Sequence, residues 1–198
     1  MKKIFLFTLI LFALTACSEK ESFTGQEKSL IFSEQQRGDI LPLYTIDNPE
    51  EETFLRLIAK DLNLKELQSE TYVRLRERML ATVKDTLNPG AGLAAPQIGI
   101  SRNLITVLRY DKPDRPFEFF PNCEIIEYSD DKNWGREGCL SIPGKRDSVY
   151  RSIQVIIQYL DELSLQSTRD TINGYTAIIF QHEVDHLKGK LYIDYKKD

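Results

Sequence analysis

The spacing of apolar residues changes along the chain. Between Ser69 and Asn88 the positions Tyr72, Leu75, Met79, Leu80, Val83 and Leu87 recur three or four apart, which predicts a helix with one buried face, stopped by Asn88-Pro89-Gly90. Upstream, Asn48-Pro49-Glu50-Glu51 offers a capping residue, proline at the first helical position and acid in the first turn, so a helix is predicted over 49–62. Residues 104–110 and 123–128 are rich in β-branched and aromatic side chains, and Ile153, Val155, Ile157 and Tyr159 alternate with polar neighbours as a half-buried strand does. Leu163 and Leu165 follow across Asp161-Glu162, which predicts a hairpin. A last helix is predicted over 173–188, closed by Gly189, with an extended piece over 191–195. Helices at both ends with strands between them predict an α+β domain rather than alternating βαβ units.

The first residues do not fit that domain. Lys2 and Lys3 precede an apolar run over 4–14, the layout of a secretory signal and too short for a transmembrane helix, which needs roughly 20 apolar residues. Leu14-Thr15-Ala16-Cys17 resembles a bacterial lipobox, in which the cysteine becomes the lipidated N-terminus. A first core element of a cytoplasmic protein is the alternative, but Ser18-Glu19-Lys20-Glu21-Ser22 breaks the apolar pattern at once. The division expected is a lipoprotein signal peptide over 1–16, a polar tether over 17–38 and one folded domain over 39–198. The chain is then a lipoprotein anchored to a membrane of the bacterial cell envelope through Cys17; without the signal it is cytoplasmic.

Charge narrows the partners. The net charge is −4, and without Lys2 and Lys3 the 26 basic residues become 24 against 30 acidic ones, a net −6. With no basic cluster interleaved with aromatics, nucleic acid is excluded as a partner.

The candidate chemistry begins in the last predicted helix, with His182-Glu183-Val184-Asp185-His186. Histidines four apart share one helix face, so both rings reach one metal while the intervening Glu183 addresses a water on it. The chain has 2 histidines, and both are here. This pattern alone denotes a metallohydrolase, most often a zinc protease, whose third ligand comes from elsewhere. Downstream, Asp194 and Asp198 are the acidic candidates; upstream, Arg136-Glu137-Gly138-Cys139-Leu140-Ser141 supplies a thiolate, and a thiolate with two imidazoles is good tetrahedral chemistry. A third segment, Gly90-Ala91-Gly92-Leu93-Ala94-Ala95-Pro96-Gln97, is dense in small residues and allows close backbone approach to a substrate.

Together and in this order, G-A-G-L-A-A-P-Q, E-G-C-L-S and H-E-V-D-H-L resemble the three signature motifs of peptide deformylases, and the similarity runs from about Asp39 to Asp194. The resemblance implies antiparallel sheets packed around a C-terminal helix that bears metal ligands. It implies one divalent metal held by Cys139, His182 and His186, with Fe²⁺ usual and Zn²⁺ or Ni²⁺ able to replace it. Glu183 becomes general base and acid, and Gln97 and the Leu140 backbone N–H hold the oxyanion. The substrates implied are N-formylmethionyl peptides or proteins, which lose formate. Ala91, Gly92, Tyr175 and Ile179 are the candidates for the methionine pocket, and Glu137 with Arg151 for an ion pair bracing the Cys139 loop. A non-catalytic formyl-peptide-binding lipoprotein and a membrane-bound zinc protease are the alternatives. One departure stands out: Asn122-Cys123 replaces the family's Asn-Pro, which raises a Cys123–Cys139 disulfide as a competitor of metal ligation.

Overall fold

The computed structural model describes residues 22–195, so the expected signal, Cys17 and the start of the expected tether lie outside the described residues. Among these residues, α1 (Gly25–Phe32), α2 (Pro49–Leu55), α3 (Leu64–Leu67) and α4 (Glu70–Val83) precede the strands, and α5 (Gly174–Leu187) follows them. The strands are β1 (Gly92–Ala94), β2 (Leu104–Leu108), β3 (Phe117–Pro121), β4 (Glu124–Tyr128), β5 (Lys132–Cys139), β6 (Ile142–Ser152), β7 (Gln154–Leu160) and β8 (Ser167–Asn173). They pair antiparallel throughout, as the sheets β1-β2-β3 and β4-β7-β8 and the hairpin β5-β6.

Helix α5 is buried on nearly every side because both three-stranded sheets pack on it. Its Ala177, Phe180 and Val184 share one cluster with Ile105, Val107 and Phe120 of the first sheet and Val155, Ile157 and Ile172 of the second. Below α4 a second cluster joins Leu75, Met79 and Val83 to Leu93, Ile98 and Leu104. The α+β class, with antiparallel sheets around a C-terminal helix, is therefore the observed one.

Several boundaries differ from those the pattern predicts. Helix α2 ends at Leu55 rather than near 62, because the following chain serves other elements. The Ala59 N–H bonds the Leu187 carbonyl at the end of α5, and Lys60 bridges to Arg102. Gly189, at φ +68, passes so close to Arg56 that a Cβ would fall 2.2 Å from its carbonyl oxygen. Helix α4 stops at Val83; the Asp85 carboxylate then caps the next turn through the Leu87 N–H, leaving Leu87 exposed. The β7-β8 hairpin forms, but Leu163 and Leu165 lie in its turn, and residues 192–194 make a 3-10 turn instead of an extended piece.

The largest difference lies in the expected tether over 17–38, whose described part is folded. Thr24 and Glu27 form a capping box around the start of α1, and Phe23 and Ile31 are buried in the cluster under α4. Burying such side chains stabilises by roughly 1.5–3 kcal/mol each. Glu27 lies against Arg102, and Arg78 donates to the carbonyls of Ile31, Ser33 and Asp39, so buried partners meet the segment's polar groups as well.

Candidate metal centre

Helix α5 presents His182 and His186 one turn apart, with ring centroids 5.1 Å from each other. Cys139 reaches them from the end of β5, where the register with β6 shifts between Gly138 and Cys139 and re-aims the strand end. Its Sγ lies 3.2 Å from His186 Nε2. One ligand atom from each of Cys139, His182 and His186 falls within 4.8 Å of the others. The resemblance-based ligand set is thus brought together, while Asp194 is engaged elsewhere, paired to Arg56 at 2.5 Å.

Glu137 orients this set. Its Oε2 lies 2.8 Å from His182 Nδ1, and a carboxylate only accepts, so Nδ1 donates and Nε2 is left for a metal. Arg151 donates to both carboxylate oxygens of Glu137, at 2.8 and 3.0 Å, and to Asp185 at 2.6 Å. Burial opposes charge on Glu137, yet hydrogen bonds from His182 and Arg151 hold its carboxyl down at about 2. Tyr195 completes the network by donating to Asp185, with the Arg151 guanidinium 4.4 Å from its ring centre.

Glu183 lies between the histidines, 4% exposed, and burial pushes its carboxyl up to about 7. Its Oε2 has no hydrogen-bond partner. Gly92 of β1 touches this carboxylate: a Cβ there would fall 2.5 Å from Oε1, so only glycine leaves Glu183 its place. Gln97 sits on the 3-10 turn Ala95–Ile98, its Oε1 accepting from the Ala94 N–H at 2.9 Å. The other end of the amide, Nε2, lies 3.2 Å from Ser141 Oγ and 3.5 Å from Cys139 Sγ. Two nitrogens, one sulfur and a buried carboxylate with an orphaned oxygen form a donor set that fits a divalent cation.

Leu140 follows Cys139 and packs on the small-residue segment at Gly90. Among the pocket candidates, Gly92 meets Glu183 directly, while Ile179, 6% exposed, and the partly buried Ala91 belong to the α5 cluster. Tyr175 is largely exposed at the start of α5, edge-to-face with Tyr110 at 5.3 Å. Cys123 and Cys139 are both free thiols, and Cys123 is buried in the α5 cluster, where burial raises its thiol well above the usual range. The pattern gives no role to Ser141, Asp185 or Tyr195; Ser141 and Asp185 carry a signal, as members of the E-G-C-L-S and histidine motifs, and Tyr195 carries none.

Metal-assisted hydrolysis is the chemistry that uses these groups together, and the fold and site define a metallohydrolase. Residues 40–198 match the family model described as polypeptide deformylase, and residues 1–18 match that of a prokaryotic membrane lipoprotein lipid attachment site. The chain belongs to the peptide deformylase family. A peptide deformylase of Leptospira biflexa is 36% identical over 156 residues, covering 75% of this chain and 83% of the relative. One from Rickettsia akari is 37% identical over 162 residues, covering 79% and 87%. Among solved structures, a class I type b peptide deformylase from Acinetobacter baumannii superposes with a TM-score of 0.71 at 34% identity, covering 79% of this chain and 99% of that one.

Proposed function

We propose that this chain removes the N-formyl group from N-terminal formyl-methionine of peptides or proteins, releasing formate and a free amine. The observation that carries this reading is the meeting of Cys139, His182 and His186 ligand atoms within 4.8 Å beside the buried Glu183. Those three residues would hold one divalent cation, Fe²⁺ by family expectation, with Zn²⁺ or Ni²⁺ able to replace it. Bound there, the cation supplies a Lewis acid that acidifies water and polarises the formyl carbonyl.

The remaining steps belong to the chain's own groups. Glu183 takes the proton of the attacking water and later gives it to the leaving nitrogen; its burial raises its affinity for that proton. The Gln97 amide and the Leu140 backbone N–H donate to the oxygen as it gains charge, one such donor being worth about 2.7–4 kcal/mol in the transition state. Ala91, Gly92, Tyr175 and Ile179 supply the apolar wall for the methionine side chain.

The same proposal covers the address. Residues 1–16 act as a signal, Cys17 is acylated, and the folded domain is held at a membrane of the cell envelope, supported by the lipid-attachment match over residues 1–18. Export separates the chain from nascent polypeptides at the ribosome, so its substrates are released formyl-peptides or formylated exported proteins. A chain that keeps Met1 is instead cytoplasmic and acts on nascent proteins.

Formate release from a formyl-methionyl peptide by anaerobically prepared protein tests the activity. Glu183→Gln should keep one metal per chain and lose about 10²–10⁴-fold in turnover, since the amide preserves shape and takes no proton. Metal-loaded protein that releases no formate sinks the reading, and near-normal turnover in the variant removes Glu183 as the base.

A further inference from the structure

From Ser22 onward the chain is locked onto the domain. The Ser22 carbonyl accepts from Arg102 Nη2 at 3.1 Å, and the ring of the buried Phe23 lies 5.0 Å from the same guanidinium. Arg102 is 1% exposed and held by two carboxylates, Glu27 at 2.9 Å and Glu66 at 3.0 Å. Peeling the segment away would remove one of the two carboxylates that hold this buried charge. Between Ser22 and Cys17 there are five peptide steps, which reach at most about 18 Å. An acyl anchor on Cys17 would therefore be tied by a short leash to one fixed corner of the domain.

The residues at that corner suit a lipid surface. Lys60 bridges to Arg102, and Leu64 stands two positions before Glu66 on α3. Ile58 is 76% exposed and Leu64 50%, and the exposed Lys28, Lys60 and Lys65 each stand at or beside a residue that meets Arg102. The acids beside them are Asp61, whose carboxylate accepts from Asn103 at 2.8 Å, and the exposed Glu124, which lines the same cleft as Asp61 and Asn103. Apolar side chains ringed by lysines enter the headgroup region of an anionic bilayer, and stable anchoring gains from a second such signal.

We infer that the Ser22–Arg102 corner is a rigid mount that lays the Ile58 and Leu64 surface on the bilayer beside the acylated Cys17, holding the domain in one orientation at the membrane surface. The inference rests on the anchoring of Cys17 proposed above. A flexible tether over 17–38 would let the domain swing free; the described fold removes most of that length.

The test compares full-length chain, acylated in cells and reconstituted in phosphatidylethanolamine–phosphatidylglycerol vesicles, with the unacylated Cys17→Ser chain in solution. Rates of lysine acetylation are read by mass spectrometry. Lys28, Lys60 and Lys65 should react at least about 5-fold more slowly on the vesicles, with Lys145 on β6 unchanged. A flexible Gly/Ser spacer of about 15 residues between Glu21 and Ser22, adding roughly 20 Å, should restore the rates without changing formate release from a soluble peptide. Acylated, vesicle-bound protein whose three lysines stay reactive overturns the mount and leaves the anchoring intact. Protection that survives the spacer also overturns it, because the patch would then be covered without help from the mount. A chain with no acyl group on Cys17 refutes the anchoring itself and the mount with it.

Discussion

Among the described residues, two of the buried arginines lie between a pair of carboxylates, Arg151 between Glu137 and Asp185 and Arg102 between Glu27 and Glu66, while Arg109 meets three. The ion-pair physics is shared. What differs is the use made of the carboxylates' remaining capacity. Glu137 spends an oxygen on His182 Nδ1 and so fixes the ring that faces the proposed metal position. Glu27 spends one on the Thr24 backbone N–H and so closes a helix cap. A buried ion triad is thus a structural part whose effect on chemistry depends on where its last hydrogen bond goes.

The largest expected effects come from breaking each triad at its arginine. Arg151→Met leaves Glu137 and Asp185 buried without their cation, a loss of about 3–5 kcal/mol. Metal affinity should fall as well, by about 10–100-fold, as the support of His182 is lost. Arg102→Met should cost a similar amount of stability, about 3–5 kcal/mol, with metal content and turnover per folded molecule unchanged. Urea denaturation and metal titration of the two variants decide the matter. Loss of metal in the Arg102 variant at full occupancy of the folded state would erase the contrast.

A smaller effect separates two glycines, one in each region. Gly92→Ala puts a Cβ 2.5 Å from Glu183 Oε1, and the carboxylate must move. Displacing a catalytic group by about 1 Å costs on the order of 10²-fold in rate. Gly25 begins α1 and a Cβ there meets nothing within 4 Å, so Gly25→Ala should leave turnover alone and stabilise by about 0.4–1 kcal/mol. Steady-state formate release and thermal unfolding measure both. Equal turnover in the two variants would show that Gly92 does not hold Glu183 in place.

These contrasts also mark what can be read without coordinates. The spacing of the candidate ligands is legible because His182, Glu183 and His186 depend on the pitch of one helix, and the three motifs carry the candidates Cys139 and Gln97 through family resemblance. Arg151 with Glu137 is legible in the same way, but Asp185 is 34 positions from Arg151 and joins it only through the fold. The Arg102 corner is harder still, with Glu27 75 positions away in a stretch whose sparse apolar residues resemble a tether. Local signals are present there, since Thr24 and Glu27 have capping-box spacing, yet Phe23 and Ile31 show no clear periodicity until the surface they bury against is known. Helix ends fail for a related reason: α2 stops where Ala59 is needed to cap α5, a demand set by a residue far along the chain.

The smallest expected effect sharpens the comparison at the N-terminal corner by acid titration. Burial opposes charge on Glu27, but the Arg102 and Thr24 hydrogen bonds outweigh it, and its carboxyl is held below the ordinary 4.5. A carboxyl with a lower pKa in the folded state favours folding when ionised, so its contribution is complete above about 4.5 and is lost as pH falls through the folded value. Replacing Glu27 by Gln removes this contribution while keeping the shape of the side chain. Urea midpoints of wild type and Glu27→Gln should therefore differ at pH 7 and draw together below the ordinary carboxyl range, with the wild type losing more on the way. The measurement is a pair of unfolding series from pH 7 down to the lowest pH at which both remain folded. Midpoints that fall in parallel would mean that Glu27 titrates as it does in the unfolded chain, and the corner would then be held by Phe23 and Ile31 rather than by the Arg102 triad.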